Sequence, residues 1–97
     1  MGKNEIFSYL RTHADRWHEQ FDVASLSVFG SFCRDEQQEK SDIDILVKFR
    51  HDPTFDNFMN LKYALEDSLG IPVDLVTQAT LKPQWREKIL KECQHVA

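Results

Sequence analysis

The sequence predicts a small α/β domain in which helices pack over a three-stranded sheet. Two observations support this fold class. Three short segments have the apolar, β-branched composition of strands, and segments with helical periodicity precede, separate and follow them. Because each apolar face must be buried against another element, strands and helices in this order form one layered unit. We therefore expect residues 1–97 to be a single domain.

The first predicted element is an amphipathic helix over residues 5–20. Apolar side chains recur at helical spacing along it, and charged residues occupy the opposite face. The apolar positions are Ile6, Leu10, Ala14, Trp17 and Phe21. Asn4 is the predicted N-cap, because its side-chain oxygen can accept a hydrogen bond from a first-turn N–H.

Three strands and three further helices complete the prediction. The strands are residues 24–29, Ile43–Phe49 and Val73–Thr77. A short helix is expected from Ser31, followed by a polar loop over residues 35–40. The next helix covers residues 54–69, with Thr54 as N-cap, Phe55 widening its apolar stripe and Gly70 as its stop. The last helix begins near Pro83 and has Trp85, Ile89, Leu90 and Cys93 on its apolar side.

The composition excludes several classes of protein. Hydrophobic residues at 41% and charged residues at 29% argue against disorder. A net charge of −4 without an obvious basic stripe argues against direct nucleic-acid binding. No apolar run approaches the roughly 20 residues that span a bilayer, and the N-terminus lacks a signal-peptide core. We expect a cytoplasmic protein with no membrane contact, in which Cys33 and Cys93 stay reduced.

The candidate site joins two apolar runs through a short polar arm. The second run opens with Asp42-Ile43-Asp44. Because alternate side chains of a strand share one face, Asp42 and Asp44 are expected to project together. Two close carboxylates repel each other unless a cation lies between them. Mg²⁺ suits this position, because proteins bind it through one or two carboxylates plus substrate phosphates.

Gly30, Ser31 and Arg34 supply the complementary half of the site. Glycine lets the backbone turn tightly and approach a ligand closely, and a helix starting at Ser31 would direct free N–H groups at an anion. The guanidinium of Arg34 can hold phosphate through a fork of donors. These residues predict a site for a Mg²⁺–nucleotide. Simpler roles stay open: Gly30 as a turn residue, Ser31 as a helix cap and Arg34 as a surface residue.

The pattern of Gly-Ser, ten residues and then Asp-Ile-Asp resembles the signature of the nucleotidyltransferase superfamily that includes DNA polymerase beta. The fuller string G-S-F-C-R-D…S-D-I-D-I-L-V is similar to the minimal nucleotidyltransferase (MNT) proteins. These are small single-domain members, often the antitoxin partners of HEPN-domain toxins. The family usually has glycine after the arginine, where this chain has Asp35. The resemblance implies a nucleotidyltransferase fold with a mixed sheet.

The resemblance also implies roles for individual residues. A third carboxylate is expected between apolar residues on a later strand, and Asp74 matches that placement. Asp42, Asp44 and Asp74 are then catalytic residues and ligands of two Mg²⁺ ions. Gly30, Ser31 and Arg34 would bind the phosphates of ATP. The implied reaction moves AMP from ATP to a hydroxyl, such as that of tyrosine, on a HEPN-type toxin partner in a hetero-oligomer.

Two other functions stay open at this point. The chain can be a non-catalytic antitoxin that neutralises its partner by binding, or the nucleotide-binding subunit of a small-molecule nucleotidyltransferase. A Mg²⁺ requirement for neutralisation separates the first of these from the enzyme. The tryptophans are expected to be core anchors rather than base-stacking platforms. Apolar residues of the last helix, namely Trp85, Ile89 and Val96, are alternatively part of a partner interface.

Overall fold

The computed structural model describes residues 2–30 and 42–97, and its centre is a mixed sheet. The strands are β1 (Val23–Phe29), β2 (Ile43–Phe49), β3 (Val73–Thr77) and β4 (Gln94–His95). Their order across the sheet is β3-β2-β1-β4. β1 is antiparallel to both β2 and β4, whereas β2 and β3 are parallel. The predicted mixed sheet is therefore confirmed.

Helices α1 to α4 follow the order expected for this sheet. They are α1 (Lys3–Thr12), α2 (Ala14–Gln20), α3 (Phe55–Leu69) and α4 (Pro83–Glu92). A short 3₁₀ turn covers Gln78–Thr80. The predicted limits of α3 are confirmed: the Thr54 hydroxyl accepts a 3.0 Å hydrogen bond from the Asn57 N–H. At the other end Gly70 is left-handed, with φ of 72°.

One face of the sheet forms the core together with α1, α2 and α3. Val28, Ile45 and Leu75 are paired in one row across β1, β2 and β3, and all three are buried. Trp17 is fully buried, and its indole N–H donates a 3.2 Å hydrogen bond to the Leu10 carbonyl. Trp17 is therefore the core anchor predicted from the sequence. Because successive side chains of a strand point to opposite faces, the alternate residues of β2 and β3 lie on the other face of the sheet.

The prediction of three strands is wrong, because a fourth strand follows α4. β4 has only two residues, which pair with Ser27 and Val28 of β1. The following residues continue the attachment, since the Val96 N–H donates to the Leu26 carbonyl at 2.9 Å. Val96 is only 4% exposed, so its predicted place on an interface is also wrong. Pairing with β1 places it in the core instead.

The predicted single helix over residues 5–20 is two helices that meet at His13. The backbone of His13 leaves the helical region, with φ of −101° and ψ of 21°. Its ring Nδ1 lies 2.9 Å from the Tyr9 carbonyl oxygen, and its ring stacks on that of Tyr9. The Tyr9 carbonyl also accepts the backbone N–H of His13 at 3.1 Å, so α1 ends at a hydrogen-bonded turn. The N-cap of α1 is Gly2 rather than the predicted Asn4.

Two aromatic side chains predicted to be buried are exposed. Phe55, at the first position of α3, is 77% exposed, and Trp85 of α4 is 50% exposed. Helical spacing identifies an apolar stripe, but it does not show whether another element covers that stripe. Within residues 2–30 and 42–97, no helix is both long and apolar enough to cross a membrane. The predicted helix from Ser31 and the loop over residues 35–40 lie outside the described residues.

Candidate functional site

The candidate site lies where β1 ends and β2 and β3 begin. Phe29, the last residue of β1, pairs with Asp44 of β2, and Asp44 in turn pairs with Asp74 of β3. These residues form one row across three strands. The register therefore places the carboxylates of Asp44 and Asp74 on neighbouring strands and on the same face of the sheet.

Strand alternation determines the environment of these acids. Ile43 and Ile45 of β2 point into the core and are fully buried. Asp44 lies between them and is partly exposed, whereas Asp74 is exposed between the buried Val73 and Leu75. Aspartate is disfavoured within strands. Its presence at both positions of one pair indicates a role other than sheet formation.

Gly30 packs directly against Asp44. Gly30 has φ of 74°, a conformation that L side chains rarely adopt. A Cβ atom built on Gly30 would overlap the Oδ2 atom of Asp44 and lie 3.2 Å from its Cγ atom. Glycine is therefore required here for two reasons, the backbone angle and the space that the Asp44 carboxylate occupies. Of the predicted site residues, Gly30 and Asp44 therefore lie in contact.

Asp42 lies immediately before β2 and is exposed. It is two residues from Asp44, so continuation of the strand alternation puts it on the same face. Among the described residues, no three or more Asp, Glu, His or Cys side chains lie together closely enough to hold a metal ion. The pairing of Asp44 with Asp74 is thus observed, whereas the three-carboxylate metal site stays a prediction.

The residues present suit a divalent cation and a phosphate chemically. Carboxylate oxygens from two adjacent strands are the hard donors that Mg²⁺ takes. Like-charged carboxylates on neighbouring strands repel one another, and a cation between them relieves that repulsion. The absence of a side chain at Gly30 provides the space that the Asp44 carboxylate occupies. Ser31 and Arg34, predicted to contact phosphates, lie outside the described residues.

A separate cavity lies at the opposite end of β2 and β3. Its volume is about 430 Å³, and it is lined by the end of β2, the loop after it and the 3₁₀ turn. Gly30, Asp42, Asp44 and Asp74 are not among its lining residues. The candidate site is therefore not this cavity. It is the row of paired residues that crosses the sheet where β2 and β3 begin.

Sequence reasoning missed one structural neighbour of the site. Gln94 of β4 pairs with Val28, one residue before Phe29. The end of α4 and the start of β4 consequently lie beside the strand that carries Gly30. A two-residue strand has no periodicity of its own, so no local sequence signal could have shown this placement.

Comparisons with known proteins agree with this geometry. Residues 10–96 match the family described as "Nucleotidyltransferase domain". The chain is 41% identical over 92 residues to the protein adenylyltransferase MntA of Thermococcus cleftensis. The aligned region covers 95% of this chain and 93% of that protein. A solved structure assigned as a minimal nucleotidyltransferase has a TM-score of 0.83 at 34% identity, over 97% of this chain and 95% of the other.

A more distant match extends the structural comparison. The solved complex of a tri-AMPylated Shewanella oneidensis HEPN toxin with its MNT antitoxin has a TM-score of 0.67 at 16% identity. The match covers 94% of this chain and 71% of that chain, and it shows likeness of fold. Family match, sequence identity and fold all agree with the resemblance that the Gly-Ser and Asp-Ile-Asp motifs indicate. This chain belongs to the nucleotidyltransferase domain family.

Proposed function

We propose that this chain transfers AMP from ATP to a hydroxyl group of a protein partner, in a reaction that requires Mg²⁺. One observation carries the proposal: Asp44 and Asp74 pair on adjacent strands while the side-chain-free backbone of Gly30 packs against Asp44. Family membership supports nucleotidyl transfer. The name of the Thermococcus cleftensis relative, a protein adenylyltransferase, supports AMP as the group moved and a protein as the acceptor.

The reaction is an in-line displacement at phosphorus. The acceptor oxygen forms a bond to the α-phosphorus of ATP, and the bond from that phosphorus to the oxygen bridging to the β-phosphate breaks. Pyrophosphate leaves with the bonding electrons, and the hydroxyl proton passes to a base. When bound, Mg²⁺ supplies charge neutralisation at the phosphates and a lowered pKa for a coordinated hydroxyl.

The aspartates have distinct roles in this proposal. Asp42 and Asp44 at the start of β2, with Asp74 on β3, would hold two Mg²⁺ ions. Asp74 is exposed and lies on a strand at the edge of the sheet. That position allows it to orient an incoming hydroxyl or to accept its proton. Gly30 allows the triphosphate to approach the backbone, with Ser31 and Arg34 assigned to the β- and γ-phosphates by resemblance.

The proposed acceptor is a HEPN-type toxin, with a tyrosine hydroxyl as the modified group. The support is the shared fold with the MNT antitoxin of the Shewanella oneidensis complex, in which the HEPN toxin is tri-AMPylated. Modification of the toxin would make this chain an antitoxin that acts within a hetero-oligomer. The acceptor hydroxyl must then reach the row formed by Asp44 and Asp74.

The test uses ATP labelled at either the α- or the γ-phosphate. The HEPN-domain protein of the same genome is incubated with this chain, Mg²⁺ and one labelled ATP. We expect label on that protein from the α-phosphate only, and its loss on chelation of Mg²⁺ or in the Asp44→Asn variant. Asp67→Asn is the matched control, because Asp67 is an exposed acid on α3. Label from the γ-phosphate would indicate a kinase and contradict the proposal.

A second candidate is an antitoxin that neutralises its partner by binding alone. It is favoured by Asp35, which follows Arg34 at the position where the family usually has glycine. Neutralisation that survives both Mg²⁺ removal and Asp44→Asn would establish this alternative. Label on a diffusible acceptor, with none on protein, would instead indicate a small-molecule nucleotidyltransferase.

A further inference from the structure

α4 differs from the other helices in that none of its residues is buried. Trp85 is 50% exposed and Leu90 is 41% exposed, whereas Ile89 is partly buried. A surface helix of a globular protein normally buries its apolar stripe against the core. α4 thus presents a tryptophan and a leucine to solvent on a short helix.

The same helix carries cations on a chain that is acidic as a whole. From Lys82 to Glu92 there are four cations and two acids, although the whole chain has a net charge of −4. One of the acids, Glu87, forms an ion pair with Lys91 at 3.2 Å. Lys88 Nζ lies 6.0 Å from the centre of the Trp85 ring. The exposed apolar side chains therefore lie among positive charges.

A shallow groove follows one side of α4. Its volume is about 360 Å³, and its lining is shared by apolar and charged side chains. The lining residues are Pro83, Arg86, Glu87, Leu90 and Lys91. Arg86 also donates to the Gln78 carbonyl at 3.3 Å, which ties the first half of the helix to the 3₁₀ turn. The groove is thus a concave surface whose lining combines apolar Pro83 and Leu90 with the cations Arg86 and Lys91 and the acid Glu87.

α4 ends beside the candidate site. Cys93 follows the helix directly, and the next residue, Gln94, pairs with Val28 of β1. Val28 is two residues before Gly30, which packs against Asp44. The C-terminal end of α4 therefore lies beside the end of β1 that carries Gly30, whereas Arg86 holds the first half of the helix at the 3₁₀ turn.

We infer that α4 is the surface on which the acceptor protein docks, through Leu90 and the groove between Pro83 and Lys91 and through Trp85 on the adjoining side of the helix. The occupant is a protein whose contact surface has an apolar patch bordered by acidic side chains, because the rim of α4 is basic. Exposed tryptophan and arginine are the residue types that dominate protein interfaces. This inference rests on the proposed function, since it assigns the place where that acceptor binds.

The test measures affinity between this chain and the HEPN-domain protein in the Asp44→Asn background, so that transfer does not consume the complex. Trp85→Ala should weaken binding about 30-fold, and Leu90→Ala by less, because a central tryptophan commonly dominates an interface. Phe55→Ala and Tyr63→Ala are matched controls, since these aromatic residues are 77% and 53% exposed on α3. The affinity of both controls should stay within about twofold of that of the parent protein.

The affinity should also fall with added salt, and it should fall less steeply with salt after Arg86→Glu.

Several results would overturn the inference. Binding by Trp85→Ala and Leu90→Ala that is as tight as binding by the two controls would overturn it, and so would a parent protein that does not bind. Self-association of the parent protein that is lost in Trp85→Ala would assign the surface to a second copy of this chain. A gel shift with RNA that depends on Trp85 would assign it to nucleic acid. Unchanged urea midpoints in the α4 variants exclude unfolding as the cause of lost binding.

Failure of the proposed function gives a different pattern. If no AMP is transferred but binding still depends on Trp85 and Leu90, α4 remains the docking surface of a binding antitoxin. If AMP is transferred and the α4 variants bind normally, the enzyme proposal stands and the docking surface lies elsewhere.

Discussion

Replacing Gly30 with alanine tests the contact that defines the candidate site. The first effect is backbone strain, since an L residue with φ of 74° costs about 1–2 kcal/mol. The second is overlap between the new methyl group and the Asp44 carboxylate, whose Cγ would lie 3.2 Å away. Overpacking of this kind costs about 1–3 kcal/mol. Asp44 can relieve the overlap by changing rotamer, but its carboxylate then leaves the site.

Gly70 provides a matched control for the strain alone. It has φ of 72°, and an added Cβ would meet nothing within 4 Å. Gly70→Ala should therefore cost about 1–2 kcal/mol. Urea unfolding followed by circular dichroism compares the two variants. With an m-value of about 1.5 kcal/mol/M, the additional cost in Gly30→Ala lowers its midpoint by roughly 0.7–2 M below that of Gly70→Ala.

A double-mutant cycle isolates the contact. Asp44→Ala removes the carboxylate and leaves only the Asp44 Cβ, at 3.5 Å from the new methyl group, which is ordinary contact. Gly30→Ala should then cost no more than Gly70→Ala, which gives a coupling of about 1–3 kcal/mol between the two sites. The reasoning fails if Gly30→Ala matches Gly70→Ala in the Asp44 protein, shows no coupling and retains AMP transfer.

Three further predictions concern the site and the core. Asp74→Asn should reduce transfer of labelled AMP about 100-fold without changing the circular dichroism spectrum, and activity equal to that of Asp67→Asn would exclude Asp74 from the mechanism. Trp17→Ala should lower the free energy of unfolding by about 3–5 kcal/mol, because the side chain is fully buried. Trp85→Ala should change this free energy by less than about 0.5 kcal/mol, because that side chain is half exposed. Similar values for the two variants would refute the assigned burial. Val96→Ala should cost about 1.5 kcal/mol in urea unfolding, and no loss of stability would argue against packing of Val96 in the core.

The elements with strong local signals could be predicted from the sequence. β2 and β3 match the predicted limits, because apolar, β-branched runs end at polar or breaking residues such as Asp52-Pro53. α3 begins after the Thr54 cap and ends at Gly70, as cap and stop signals predict. The break at His13 could not be predicted, since no glycine or proline marks it.

Features that depend on tertiary contacts were beyond prediction. β4 has two residues and exists through pairing with β1, so neither composition nor periodicity indicates it. Exposure of Trp85 depends on which elements reach α4, which helical spacing does not show. In the site, the motifs identify Asp44 and Asp74, but only the register places them side by side. The packing of Gly30 against Asp44 likewise appears only in three dimensions.

Intact-protein mass spectrometry of the HEPN-domain protein, after incubation with this chain, ATP and Mg²⁺, tests the central claim most directly. We expect a mass increase by whole AMP units, with the modified hydroxyl located by fragmentation, and no increase with Asp44→Asn. An unchanged mass, together with full neutralisation by both the parent protein and Asp44→Asn, would contradict the proposed enzyme.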